Sequence, residues 1–318
     1  MQAILFPTNR CNLSCRHCPV NKIIPCDLTL QDIEIVASYP ITKLGILGGE
    51  PFMRKDLDKI VELFTIPVTI YTNGHLLTRH TFIPGVNYCV SIDGWREFHD
   101  GLRGEGSFLK AIQALEMLDN HHDDIESLWI RMTYSQQNWR DISKLYKKAK
   151  SLTDVRLLLH PLVGNGLPPL DEQVQMELFK WAAPKDDVVI LQPHFWHFCG
   201  YTKSTCPAGI HRIAIDEHGN VKPCQWLNEK IGSIHRHSYD ELLSRGKEFH
   251  ENRGCYIEDG CRLCPDKELC RSSCKVCSDS QTCPLRHQIT ASHFYSGGIL
   301  KTINVKHQSM SKVGLVGC

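Results

Sequence analysis

Residues 11–18 read CNLSCRHC, three cysteines at a C-x3-C-x2-C spacing. They follow AILF (3–6), a short apolar run of strand length. The triplet therefore occupies a loop at a strand's C-terminal end, where folds built on parallel sheets carry their chemistry. Tetrahedral metal sites and four-iron clusters ordinarily take four protein ligands. Three close thiolates leave one position open, and an open metal position marks a reactive site. A structural zinc knuckle completed by His17 or Cys26 is the competing reading.

Downstream of the triplet, short apolar runs alternate with helical patterns. KLGIL (43–47), VTIYT (68–72), YCVSI (88–92), LWIRMTY (128–134) and VRLLLHP (155–161) are the further candidate strands. LTLQDIEIVASY, KDLDKIVELF, SFLKAIQALEML, WRDISKLYKKAK and DEQVQMELFKWAA are the candidate helices, with the crossover near HLLTRHTF the weakest. The strands are continuous apolar runs, as expected when both sheet faces are covered. About six strand–helix units predict an α/β fold with a parallel sheet and right-handed crossovers, an open or partial (β/α) barrel.

The texture changes near residue 190. Of sixteen cysteines, eleven fall from Cys199 to Cys318. Periodic helix returns only in SYDELLSRGKEFHE, and HRIAI and VKPC around EHGN predict a hairpin. This reads as a small domain held by metal more than by a large core. The expected organisation is a core over 1–188, a cysteine-rich domain over 189–288 and a tail over 289–318.

The 318 residues carry a formal net charge of +1 and 42% hydrophobic side chains. No bulk charge favours nucleic acid or an anionic membrane. No stretch reaches the ~20 apolar residues of a membrane span, and the first residues lack the pattern of a signal peptide. A cytoplasmic protein is expected, and its cysteines then read as metal ligands or catalytic groups. Cys26 and Cys89 read as small buried hydrophobes.

Further motifs stand at successive strand ends: GGEPF (48–52), YTNG (71–74) and SIDGWREFHDGLRG (91–104). Together with the triplet they resemble the radical S-adenosylmethionine (radical SAM) superfamily. The resemblance implies a partial (β/α)6 TIM-like barrel. It also implies that Cys11, Cys15 and Cys18 hold a [4Fe-4S] cluster whose open iron is chelated by S-adenosyl-L-methionine. Gly48, Gly49 and Glu50 would meet the methionyl ammonium, Ser91 the ribose and Arg103 the methionyl carboxylate. His17 stands where the family has an aromatic residue, and it could still stack near adenine. One electron from a flavodoxin- or ferredoxin-type reductant would release methionine and a 5′-deoxyadenosyl radical, which takes a substrate hydrogen atom.

The later cysteines form C-x12-G-x4-C (206–224) and C-x2-C-x5-C-x3-C (261–274). They are similar to the SPASM extension of radical SAM enzymes, which holds two auxiliary clusters. By that resemblance the first takes Cys199, Cys206, Cys224 and Cys274. The second takes Cys261, Cys264, Cys270 and Cys283, with Cys277 or Cys318 as alternatives for the last place. Cys255 is left over. Such enzymes imply an oxidoreductase that modifies a peptide or protein side chain, with a tetrapyrrole or small-molecule oxidase or decarboxylase as the alternative. Cys11 stands too near the start for a separate leader-binding domain before it, which lowers the weight of the peptide reading. Sulfatase maturation ranks low, because Gln225 replaces the Asp expected after Cys224 and is a poor proton acceptor. An iron–sulfur electron carrier would have no use for GGEPF or Arg103.

Overall fold

The structure is a computed structural model and describes residues 1–18, 20, 24–161, 170–190 and 207–252. Seven strands follow the alternating pattern: β1 (Gln2–Leu5), β2 (Lys43–Ile46), β3 (Val68–Thr72), β4 (Asn87–Ser91), β5 (Ser127–Tyr134), β6 (Val155–Pro161) and β7 (Val188–Ile190). Each pairs in parallel with the next. The helices between them are α1 (Leu30–Ala37), α2 (Leu57–Glu62), α3 (Arg96–Arg103), α4 (Ser107–Asp119), α5 (Ile142–Lys150) and α6 (Glu172–Ala182). The result is a mixed α/β fold on an open parallel sheet. The expected weak crossover is real: residues between β3 and β4 form turns and no helix. Sequence reading missed α3, whose polar residues mask its pattern, and β7, which is only three residues long.

Three more strands extend the sheet beyond β1, namely β8 (Arg212–Ile215), β9 (Asn220–Lys222) and β10 (Gly232–Ser233), followed by α7 (Tyr239–Asn252). β8 and β9 form the expected antiparallel hairpin. β8 also pairs in parallel with β1, Gln2 opposite Arg212 and Leu5 opposite Ile215. Ile213 and Ile215 thereby enter the same buried cluster as Leu5, Ile46 and Ile70.

Local signals explain the helix starts. Thr29 caps α1, accepting from Asp32 N–H at 3.1 Å while the Asp32 carboxylate accepts from Thr29 N–H at 2.9 Å, a reciprocal capping box. Asp171 caps α6 by accepting from Gln173 N–H at 3.0 Å.

The two sheet faces differ. The outer face buries the main core, in which Ile46, Ile70, Ile130 and Leu157 pack under the helices. The inner, concave face carries a small apolar belt of Cys89, Trp129, Leu158 and Val189, with Tyr71 against it. Around that belt the inner face is polar and encloses a cavity of about 490 Å³. Continuous apolar runs therefore did not mean two dry faces: alternate residues of β3 to β6 line space. Among the described residues no helix is long and apolar enough to cross a membrane.

Truncating Ile213, 2% exposed in the shared core, tests whether β8 belongs to the barrel. Ile213→Ala should cost about 2–5 kcal/mol and shift the denaturant midpoint of the whole far-UV circular dichroism transition. A shift confined to a minor early phase would show that the hairpin unfolds by itself.

Candidate active site

The C-terminal ends of the strands meet at a cavity of about 170 Å³. Its walls include Cys11, Cys15, Cys18, Gly48, Gly49, Glu50, Ser91 and Arg103, so eight residues from three separate sequence motifs converge there. Among the described residues no three His, Cys, Asp or Glu side chains converge on a point that could hold one metal ion. All three cysteines nevertheless line the one cavity.

The cysteine loop is held by backbone packing. Gly49 N–H donates to Thr8 C=O at 2.9 Å, and Glu50 N–H to Arg10 C=O at 2.8 Å. A Cβ at Gly48 would overlap the Thr8 carbonyl, and one at Gly49 the Arg10 carbonyl. Gly48 also has φ of 127°, a region that favours glycine. The glycines thus serve first to bring two loops together, and the amide protons of residues 49 and 50 are already committed.

The returning limb of the loop is tied by side chains. Asn9 accepts from Cys26 N–H and donates to Ile24 C=O, both at 2.8 Å. Arg54, 7% exposed, donates to Pro7 C=O at 3.0 Å and Leu28 C=O at 2.5 Å, and pairs with Asp56 at 2.8 Å. Arg54 therefore clamps both limbs at the loop's base. Sequence reading passed over it, although it stands directly after GGEPFM.

Cys26 lies outside this cavity. Its Sγ contacts Glu217 C=O at 3.1 Å and His218 Nδ1 at 3.3 Å, and the residue is only partly buried, so it is a polar contact and not the hydrophobe expected. Cys89 is fully buried, as expected, with its thiol pushed up to about 12 by burial.

Glu50 is 1% exposed. Its carboxylate accepts from Thr72 Oγ1 at 2.7 Å, Asn73 N–H at 2.8 Å and Phe52 N–H at 3.4 Å. Burial pushes its pKa up to about 7, and the hydrogen bonds only partly oppose this. Asn73 also donates to Asn12 Oδ1 at 2.9 Å, so the YTNG turn links the carboxylate to the cysteine loop.

Arg103 does not stand alone. Its Nε donates to Asp93 Oδ2 at 2.6 Å, and His17 Nε2 lies 3.3 Å from the same oxygen. Asp93 Oδ1 accepts from Thr133 N–H at 2.8 Å. Burial works to raise the Asp93 pKa, but Arg103 and His17 overcome it and hold the carboxyl well below its usual range. Neither Asp93 nor this role for His17 was read from the sequence, although SIDG contains the aspartate. His99 backs the group by accepting from Asp93 N–H at 3.1 Å.

Gln225 and Trp226 reach the same cavity from the segment after β9. Cys224 is buried beside them. Cys199, Cys206, Cys261, Cys264, Cys270, Cys274 and Cys283 lie outside the described residues, as do Cys255, Cys277 and Cys318.

Residues 5–149 match the family described as the Radical SAM superfamily. The chain is 27% identical over 298 residues to the mycofactocin maturase MftC of Mycolicibacterium smegmatis, covering 84% of this chain and 76% of that protein. It is 29% identical over 229 residues to Fe-coproporphyrin III synthase of Methanosarcina barkeri, covering 66% of this chain and 54% of that protein, about half its length. Native anSMEcpe with bound AdoMet and Kp18Cys peptide superposes with a TM-score of 0.70 at 20% identity, covering 87% of this chain and 90% of that one. Streptococcus suis SuiB bound to precursor peptide SuiA gives 0.70 at 16%, covering 89% and 73%. These two structures share the fold.

Removing one partner of the buried Arg103–Asp93 pair strands the other. Arg103→Met should destabilise the protein by about 3–5 kcal/mol, measured by denaturant unfolding. Asp93→Asn added to Arg103→Met should recover part of that loss, and a strictly additive double variant would mean that the pair is not coupled.

Proposed function

We propose that this chain, an enzyme whose residues 5–149 form a radical SAM superfamily domain, is an oxidoreductase that modifies a peptide or protein side chain. The reading is supported above all by the convergence of Cys11, Cys15, Cys18, Gly48, Gly49, Glu50, Ser91 and Arg103 on one cavity at the strand ends. The peptide substrate is supported by the likeness to a maturase over 84% of the chain.

The residues present fit a [4Fe-4S] cluster and S-adenosylmethionine. Three thiols, the glycine pair and a buried carboxylate line the same cavity. When bound, these groups supply a 5′-deoxyadenosyl radical that can take a hydrogen atom from an unreactive C–H bond.

The chain's own residues bind, orient and exclude water. Cys11, Cys15 and Cys18 would hold the cluster as thiolates, three ligands that would leave a position for the cofactor. The Glu50 carboxylate and the backbone carbonyls of Gly48 and Gly49 would accept from the methionyl ammonium. With its Nε committed to Asp93, Arg103 keeps its Nη donors for the methionyl carboxylate, and Asp93 sets the plane of the fork. Ser91, at the end of β4, is left for the ribose. Phe6, Val20 and Leu47 give the cavity apolar wall that keeps water out. Cys224 and the later cysteines are assigned to two auxiliary clusters of a SPASM-type domain, and a flavodoxin- or ferredoxin-type protein supplies the electron.

A tetrapyrrole substrate is the second reading, favoured by the likeness to Fe-coproporphyrin III synthase. With iron coproporphyrin III as probe, cleavage of S-adenosylmethionine should stay at the level seen without any substrate. Porphyrin-dependent decarboxylation would reverse the order of the two readings.

Anaerobically reconstituted protein should bind about 12 irons, and changing Cys11, Cys15 and Cys18 together to Ala should remove about four of them. All 5′-deoxyadenosine formation should go with them. Stoichiometric zinc in place of iron would sink the reading.

The Glu50 pKa gives a pH test. The ammonium contact needs the carboxylate, and burial keeps a proton on Glu50 up to about pH 7. Affinity for S-adenosylmethionine should therefore fall as pH drops below 7, by up to about tenfold per unit, and level off above it. Glu50→Gln should bind weakly with a flat profile, and an unchanged slope in that variant would place the titrating group elsewhere.

A further inference from the structure

We infer that Arg131 anchors a carboxylate of the substrate at the floor of the active-site cavity and so helps to determine specificity. The inference rests on the substrate-modifying role proposed above and adds the chemistry by which the substrate is recognised.

Arg131 lies in the middle of β5, opposite Ser91 on β4 and Leu158 on β6. It lines both the site cavity and the larger inner cavity. Its guanidinium stands 5.6 Å from the centre of the Tyr71 ring and 5.9 Å from that of Trp226. Two rings on one cation fix its position and leave its edge free for a planar partner.

That edge has no anion within the protein. Arg131 Nε is buried without a hydrogen-bond partner, and no carboxylate pairs with the guanidinium among the described residues. Two neighbouring arginines have carboxylate partners, whereas Arg212, which also lines the inner cavity, is buried with its Nε unpartnered and donates from Nη2 to the Gln2 side-chain oxygen at 3.1 Å. Arg54 pairs with Asp56, and Arg103 pairs with Asp93. The two buried acids nearby are committed, Glu50 to Thr72 and Asn73 and Asp93 to Arg103. Glu126 and Asp154 stand exposed at the rim of the inner cavity. His160, its ring centre 4.8 Å from that of Trp226 and tilted against it, adds no negative charge and is kept neutral by burial and by the field of Arg131.

An unpaired cation in such a place costs free energy unless an anion arrives with the ligand. A carboxylate is the complement, since one guanidinium fork binds it bidentately and one charge is neutralised. The cofactor's own carboxylate has Arg103, which lies in the field of Cys15 and Cys18. Arg131 lines the site cavity too, but unlike Arg103 it also lines the inner cavity, which none of the three cysteines lines. A peptide C-terminus, an acidic side chain and a tetrapyrrole propionate all offer this group.

The test uses the full-length, anaerobically reconstituted protein and isothermal titration. Benzoate should bind at least about tenfold more tightly than benzamide, a comparison that needs no variant. Arg131→Met should bring the ratio to about one, and Arg131→Lys should keep part of it. Two further pairs identify the source: the tripeptide Ala-Ala-Phe against its amide, and coproporphyrin III against its tetramethyl ester. An Arg131-dependent preference for either acid supports the inference and says which molecule carries the group. Parity of acid and neutral probes in the unaltered protein overturns it. So does a benzoate preference that survives in Arg131→Met, or competition by inorganic phosphate as strong as by benzoate. Cleavage of S-adenosylmethionine by the same unaltered preparation is measured alongside: its absence defeats the radical reading, whereas acid binding alone decides the role of Arg131.

Discussion

The site depends on one backbone contact. The loop with the three cysteines lies directly against the glycine pair at the end of β2, joined by Gly49 N–H to Thr8 and Glu50 N–H to Arg10. The approach is too close for any Cβ at residues 48 and 49. It fixes the cysteine loop beside Glu50, and both line the same cavity. Arg54 secures the same loop from below by binding both of its limbs.

Charge is distributed in the cavity by the same logic of commitment. Glu50 is buried among hydrogen-bond donors yet lacks a directly paired cation, so its carboxyl holds a proton up to about pH 7. Asp93 has Arg103 and His17 and stays ionised well below the usual range. Two buried carboxyl groups in one site are thus pushed apart by their partners. Arg131 adds a cation that no carboxylate of the described residues pairs with.

The two sheet faces divide stability from function. Residues facing the helices form a dry core from β1 through β8. Those facing inward keep a narrow apolar belt around Trp129 and otherwise present rings, hydroxyls and guanidinium groups to open space. One strand serves both ends: in β5, Ile130 and Met132 pack outward while Trp129, Arg131 and Thr133 turn inward.

Much was legible in the chain itself. Apolar runs at strand length separated by helical periods marked β1 to β6, because burial imposes those periods whatever the detailed packing. Cysteine spacing and the GGEPF, YTNG and SIDG stretches marked the strand ends that carry the site, because reactive loops need particular donor groups and glycines at short range. Sequence by itself could not place partners that are distant along the chain. The pairing of Arg103 with Asp93 was hidden within SIDGWREFHDGLRG, since spacing does not tell which side chains face each other across a loop and helix. β8 joined β1 across about 210 residues, Arg212 opposite Gln2, through backbone hydrogen bonds that any residue pair could make. Arg131 looked like an interruption in an apolar strand. Only the tertiary structure, which brings Tyr71 and Trp226 onto the same guanidinium, made it a cation facing a cavity with no carboxylate paired to it among the described residues.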